Sequence, residues 1–109
     1  MLKLEKIPFE VSEAVKKLGE NIHLARIRRR MRQEELAEKC RISRKTLYAI
    51  ENGFPGIGIG TIFSVLWALG LLDSAKILAS PDQDEHGKIL EVAQRRQRVR
   101  DPVNVDNDF

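Results

Sequence analysis

The sequence has little of what disulfide frameworks and metal sites require. Its 109 residues include one cysteine, Cys40, and two histidines, His23 and His86. A single cysteine cannot form a disulfide within the chain, and no cluster of cysteine and histidine has the spacing of metal ligands. We therefore expect neither a disulfide-stabilised protein nor a metalloprotein, and we expect both histidines to be structural or solvated.

Long apolar runs and catalytic patterns are also lacking. No apolar stretch reaches the roughly 20 residues that cross a bilayer, and the first twenty residues mix lysine with glutamate. The sequence holds no nucleophile–base pair, and the glycines of 56–60 follow a helix stop rather than a strand, unlike a nucleotide-binding loop. We therefore expect a cytoplasmic protein without a membrane partner, an enzymatic activity or a cofactor.

Positive charge is concentrated in one part of the chain. The net charge is only +3, but residues 16–45 hold eleven lysines and arginines against four acidic residues. Four arginines follow within 95–100, whereas 73–91 and 101–109 are acidic. Clustered cations suit a polyanion, because each one placed against a phosphate releases counterions. Taken alone, this pattern fits a solvated helix face slightly better.

Helical spacing of apolar residues runs through the first half of the chain. It predicts a helix over 12–29 with Ser12 as its N-cap, and a short second helix marked by Leu36, Ala37 and Cys40. A third helix is predicted over Ser43–Glu51, because Asn52-Gly53 is a stop signal. The chain is therefore predicted to be all-α.

The second half of the chain mixes turns and helices. Residues 53–60 hold four glycines and one proline, which predicts a loop. Helices are predicted over 61–69 and 73–79, and another from Ser80, where Ser-Pro-Asp-Gln has the form of a capping box. From about Arg98 the chain is predicted to be extended or disordered.

The second and third helices form the pattern that carries the function. Two short helices joined by a tight turn, which Ile42 plugs, suit the major groove of DNA: the first helix braces the second, which projects its side chains toward base edges. With Leu47 and Ile50 turned inward, five residues of the third helix face outward. These are Arg44, Lys45, Thr46, Tyr48 and Ala49. Arginine and lysine can bond guanine acceptors, while threonine and alanine methyls can meet thymine methyls.

This region resembles the Cro/CI-type helix-turn-helix family, also called the XRE family. The resemblance extends from Leu18 to Leu71. It is carried by Ile22, Arg26, Gln33, Leu36, Ala37, Ile42, Ser43, Leu47, Ile50, Glu51, Asn52 and Gly53. It implies a five-helix, lambda-repressor-like DNA-binding domain with an additional C-terminal helix and tail. We therefore expect an N-terminal arm at 1–11, the helix-turn-helix domain at 12–79, and a C-terminal helix with a flexible tail at 80–109.

The resemblance also implies roles for single residues. Gln33 and Asn52 are expected to contact the DNA backbone, and Arg26 is expected to pair with Glu51. Since both members of that pair also fall on inward helix stripes, we expect a partly buried structural salt bridge. The predicted DNA-contacting set is Arg32, Gln33, Arg41, Ser43, Arg44, Lys45, Thr46, Tyr48, Ala49 and Asn52.

Three positions depart from the family's pattern. Arg30 and Arg41 stand where the family usually has glycine. Arg32 stands where the family usually has a serine or threonine that caps the second helix. An arginine in a left-handed turn costs on the order of 1 kcal/mol, and a lost cap costs about as much. Since all three exchanges add positive charge, we expect phosphate contacts from Arg32 and Arg41. The alternative is that these arginines are tolerated surface exchanges.

Two functions follow from these features. The first is a transcriptional repressor that binds double-stranded DNA as a homodimer, with a candidate dimer face at Phe63, Trp67, Leu71 and Leu72. For Trp67 the alternative is an ordinary core position. The second is an antitoxin that neutralises a HipA-like kinase toxin, since 53–72 resembles the antitoxin half of HipA/HipB modules. The tail at 95–109 could then fold on that partner; the alternative is a disordered, solubilising end.

Overall fold

A computed structural model describes residues 6–100, with the side chains of residues 6–98. Within these residues it contains six α-helices, one 3-10 turn and no strand. The helices are α1 (Phe9–Arg28), α2 (Gln33–Cys40), α3 (Arg44–Glu51), α4 (Ile59–Ala68), α5 (Leu72–Lys76) and α6 (Glu85–Arg100), and the 3-10 turn is Pro81–Gln83. The all-α prediction is confirmed over this range. The first five residues of the predicted arm and residues 101–109 of the predicted tail lie outside it.

The chain divides into two compact units between Ala75 and Lys76, whereas the sequence predicted a boundary between 79 and 80. The first unit contains α1 to α4 and most of α5. The second contains the 3-10 turn and α6.

The core of the first unit lies where its helices meet. Ile22, Leu36, Leu47 and Val65 are fully buried, one from each of α1 to α4. Each such side chain contributes about 1.5–3 kcal/mol by leaving water. Because α2 packs against both α3 and α4, and α1 packs against α3, the helix-turn-helix pair rests on helices from both sides.

The helices α1 to α4 all end in the same way. In each, one of the first two residues after the helix adopts a positive φ, and the amides of that residue and the next bond to carbonyls of the last turn, which is a Schellman motif. Gly53 and Gly70 occupy this position after α3 and α4, but Arg30 and Arg41 occupy it after α1 and α2, with φ of 53° and 58°. Both turns therefore adopt the left-handed conformation without the glycine that favours it.

Arg41→Gly is expected to raise the free energy of unfolding by about 1 kcal/mol, because glycine adopts the left-handed conformation without a Cβ clash. Urea unfolding followed by circular dichroism measures the change. Arg41→Ala is the matched control, since it removes the same charge but keeps the Cβ, and it should give no gain. Equal stabilisation by both variants would show that the charge, rather than the backbone, is the source of the strain.

Two helix starts differ from the prediction. Helix α1 begins at Phe9 after Pro8, so the assignment of Ser12 as its N-cap is wrong. Proline presets φ for a helix start and therefore opens α1 earlier than the apolar spacing indicates. Helix α4 begins at Ile59 after Gly58, so the last two residues of the predicted 53–60 loop are helical.

The C-terminal boundaries also need correction. Helix α5 ends at Lys76 rather than at 79. Ser80 caps no helix by its side chain; instead, the Asp84 Oδ1 accepts a 2.9 Å bond from the Gly87 amide and opens α6. A Cβ at position 87 would meet the Asp84 carboxylate in its present position, so another residue there would require that side chain to shift. Helix α6 then continues through Arg100, where extended chain was predicted from Arg98.

Candidate nucleic-acid interface

The turn between α2 and α3 comprises Arg41, Ile42 and Ser43. Ile42 is half-buried against the core. The Ser43 Oγ accepts a 3.0 Å bond from the Thr46 amide and lies 2.9 Å from the Thr46 hydroxyl. The predicted N-cap of α3 is therefore confirmed, and it fixes the direction in which the helix leaves the turn.

One face of α3 is exposed. Arg44, Lys45 and Tyr48 are exposed and together line a shallow surface concavity. Thr46 and Ala49 are half-buried, and the Thr46 hydroxyl is already at hydrogen-bond distance from Ser43. Arg44, Lys45 and Tyr48 are thus the most accessible of the predicted base-contacting residues. They lie on a single helix, which fits a major groove about 12 Å wide.

The predicted phosphate-contacting arginines lie at the two ends of α2. Arg32 precedes the helix and Arg41 follows it, and both are exposed. The Glu35 Oε1 accepts a 2.7 Å bond from the Arg32 amide. In a full capping box, the side chain before the helix also accepts a bond from the amide of the residue three positions on. The Arg32 guanidinium has no acceptor atom, so only the bond to Glu35 is formed. The Arg32 side chain is thereby left outside the helix start, 3.8 Å from Glu35 at its Nε.

A buried ion pair anchors the C-terminal end of α3. The Arg26 Nε donates to the Glu51 Oε2 at 2.7 Å, and the Arg26 Nη2 donates to the Glu51 Oε1 at 3.0 Å. Both residues are buried. A two-point contact of this kind fixes orientation as well as distance, so it ties α3 to α1.

Three further groups complete this pair. The His23 Nδ1 lies 2.8 Å from the Glu51 Oε1, and the Gln33 Nε2 donates to the same oxygen at 3.2 Å. The Arg26 Nη1 donates to the Met31 carbonyl at 2.7 Å. The His23 contact was not predicted from the sequence, and Gln33 was expected to contact the DNA backbone. The available signal was the spacing of His23 and Arg26, which places them one turn apart on the same side of α1.

These contacts set the protonation of the pair. Burial alone would raise the pKa of Glu51, but the hydrogen bonds from Arg26, His23 and Gln33 outweigh it and lower that pKa below its ordinary value. The hydrogen bond to Glu51 raises the pKa of Arg26, against the opposing effect of its burial. The pair is therefore charged at neutral pH.

A glycine in α1 allows this arrangement. A Cβ at Gly19 would lie 2.5 Å from the Ile50 carbonyl oxygen and 3.0 Å from that of Glu51. Since backbone carbonyls cannot move aside as a flexible side chain can, only glycine permits α1 to approach the end of α3 this closely. That approach brings His23 and Arg26 within reach of Glu51.

Asn52 lies directly after α3 and is exposed. Its Nδ2 donates to the Tyr48 carbonyl at 2.8 Å, which satisfies one of the carbonyls left free at a helix end. The amide therefore stabilises the end of α3, while its oxygen has no hydrogen bond to the described residues.

The predicted dimer face is uneven. Phe63, Leu71 and Leu72 are half-buried and pack against the core, whereas Trp67 is 61% exposed. Ile59, at the start of the same helix, is exposed as well. Trp67 is thus a surface residue of α4, and the core position considered for it is wrong for this chain.

Residues 6–100 contain neither a membrane-spanning helix nor a group of metal-binding side chains. No helix there is both long enough and apolar enough to span a bilayer. No group of three or more histidine, cysteine, aspartate or glutamate side chains in that range could hold a metal ion.

Comparison with known proteins finds one similarity. A family model described as helix-turn-helix matches residues 22–71, from the middle of α1 to the residue before α5. No curated protein and no solved structure matches the chain. The matched range includes the turn, the exposed face of α3 and both members of the buried ion pair.

Proposed function

Since residues 22–71 are a helix-turn-helix domain of the Cro/CI type, which is found in DNA-binding regulators, we propose that this protein is a sequence-specific transcriptional repressor. The observation that carries the proposal is the division of α3 into two faces. Leu47, Ile50 and Glu51 hold it from inside, and Arg44, Lys45 and Tyr48 remain exposed. A helix so held presents side chains in fixed directions, as base reading requires.

In the proposed complex α3 enters the major groove. Arg44 and Lys45 donate to the O6 and N7 acceptors of guanine, and the Ala49 methyl meets a thymine methyl. Arg32 and Arg41 neutralise phosphates on either side, which strengthens binding to any sequence. The buried Arg26–Glu51 pair stays out of the contact and keeps α3 at a constant angle.

The repressor acts as a homodimer in this proposal. Two copies place their α3 helices in successive major grooves, about 34–36 Å apart, on an inverted repeat. Trp67 supports a dimer face that includes α4, because an exposed tryptophan one helical turn from half-buried Phe63 suits a protein interface. The face is proposed to continue through Leu71 and Leu72, which follow the helix. A dimer bound at a promoter, including the promoter of its own gene, blocks transcription.

Selection of binding sites from random duplex DNA tests this function. We expect enrichment of an inverted repeat whose half-sites lie one helical turn apart. Binding that shows no preference among sequences would reduce the protein to a non-specific DNA binder. Enrichment of a single half-site would remove the homodimer from the proposal.

Arg32→Ala is expected to weaken binding to all duplexes alike and to flatten the dependence of log affinity on log salt by about one unit. The reason is that a phosphate contact carries no sequence information but releases one counterion. Titrations of a selected site and of a scrambled duplex at several salt concentrations measure both effects. A loss confined to the selected site would instead assign Arg32 to base reading.

The antitoxin interpretation stays a prediction. It rests on the resemblance of 53–72 to HipA/HipB modules and on the tail at 95–109. The test is co-purification with the product of the neighbouring gene, using the whole chain and a chain that ends at residue 94. Equal recovery of the partner by both would remove the tail from the mechanism, and no recovery by either would leave DNA binding as the only proposed function.

A further inference from the structure

Helix α6 carries a short seam of the kind that pairs helices. Glu85, Ile89, Val92 and Arg96 follow one another at intervals of four, three and four residues. At about 100° per residue they occupy a sector of roughly 60° on one side of the helix. This is the spacing of a and d positions in a coiled coil, with apolar residues in the middle and a charge of opposite sign at each end.

The middle of this seam is exposed. Ile89 is 67% exposed and Val92 is 41% exposed, and together with Ala93 they line a depression on the helix surface. A helix of 16 residues is marginal in water by itself and is stabilised mainly by burying an apolar side. The seam is therefore a candidate contact surface.

The charges on residues 82–98 indicate what could bind to the seam. Three carboxylates, Asp82, Asp84 and Glu85, lie at the beginning of this range, and three guanidinium groups, Arg95, Arg96 and Arg98, lie near its end. A second copy of this unit, turned end for end, offers the complementary order of charges. We propose that α6 pairs with the α6 of a second copy in an antiparallel arrangement.

The seam has a register that satisfies both its apolar and its charged positions. When the two helices cross between Leu90 and Glu91, Ile89 of each copy meets Val92 of the other. Glu85 of each copy then lies opposite Arg96 of the other. Each a position thus faces a d position, as antiparallel helices require.

A parallel pair would be unfavourable. It would place Glu85 beside Glu85 and Arg96 beside Arg96, so that like charges meet at both ends of the seam. An antiparallel pair is related by a twofold axis and closes at two copies rather than extending into a fibre. The contact thus goes beyond DNA recognition and does not depend on DNA.

The apolar part of the seam is tested on the full chain by sedimentation equilibrium without DNA. Ile89→Gln should raise the dimer dissociation constant about tenfold or more, because both copies lose a buried side chain. Leu90→Gln is the matched control, since Leu90 is half-exposed but lies about 120° away from the seam; it should leave the constant unchanged. Equal effects of the two variants, or a monomer at every concentration, would overturn the proposal.

Charge reversal tests the orientation. Glu85→Arg and Arg96→Glu should each weaken the dimer about tenfold, because each turns two attractive pairs into repulsive ones. The double variant Glu85→Arg/Arg96→Glu should restore the original constant. Failure of the double variant to do so, or no effect of the single variants, would rule out the antiparallel pair. Site selection on DNA is independent of these measurements, so either proposal can fail alone.

Discussion

Glu51→Ala is expected to lower the free energy of unfolding by about 3–5 kcal/mol, because it leaves the buried Arg26 guanidinium without its partner. His23 and Gln33 lose their acceptor in the same change. Urea unfolding at neutral pH measures the loss. Glu38→Ala is the matched control: Glu38 is exposed on α2, and its removal should change stability by less than about 0.5 kcal/mol.

The pH dependence of stability gives a second readout of the same variant. The folded state lowers the pKa of Glu51 below its ordinary value of 4.5. The unfolded state therefore binds more protons than the folded state between these two pKa values. The stabilisation by the ion pair is complete above the unfolded pKa and is lost as pH falls through the folded one. Glu51→Ala should therefore reduce the loss of unfolding free energy that occurs as the pH is lowered below 4.5. The same loss in the variant and in the unaltered protein would contradict the account.

Arg44→Ala is expected to weaken binding to the selected operator by about 1–3 kcal/mol, which corresponds to roughly 5- to 150-fold in the dissociation constant. Arg44 lies in the first turn of α3, where a recognition helix contacts base edges. Fluorescence anisotropy with the selected duplex and with a scrambled duplex measures the loss, which should be larger for the selected one.

The control for this change is Lys17→Ala. Lys17 is exposed on α1, which lies outside the helix-turn-helix pair, and its removal lowers the net charge by the same one unit. It should weaken both duplexes slightly and to the same extent. If Arg44→Ala behaved like Lys17→Ala, α3 would not be reading bases at this position.

The helix-turn-helix itself could be predicted because several local signals agree. Ser43 offers a cap, Leu47 and Ile50 give one apolar stripe, and Asn52-Gly53 ends the helix. A charged residue such as Glu51 on the inward stripe requires a partner, and Arg26 is an inward cation of α1. Where propensity, spacing and capping point the same way, a helix is well determined.

The partners of Glu51 were harder to predict because they depend on how helices cross. His23 reaches Glu51 only since Gly19 lets α1 approach the backbone of Ile50. The spacing of His23 from Arg26 places both on one side of α1, but it does not indicate how closely α1 approaches α3. Gln33 likewise reaches Glu51 through the placement of α2 against α3, which no single-helix pattern contains.

The predicted start of the C-terminal helix was wrong for a different reason. Ser80-Pro81 has the sequence of a helix start, but Pro81–Gln83 forms a 3-10 turn. The cap of α6 is Asp84 instead. Two capping signals four residues apart compete, and the bond from the Gly87 amide to Asp84 is the one that forms. Sequence patterns place such a helix but leave its first turn open.

A footprint on the selected operator tests the central claim most directly. The account predicts two protected half-sites, centred about 34–36 Å apart, with guanine N7 positions in the major groove shielded from methylation. With Arg44→Ala, the shielding of at least one guanine in each half-site should disappear while the outer boundaries of protection remain. Protection confined to the minor groove, or a methylation pattern that Arg44→Ala leaves unchanged, would contradict the assignment of α3 as the recognition helix.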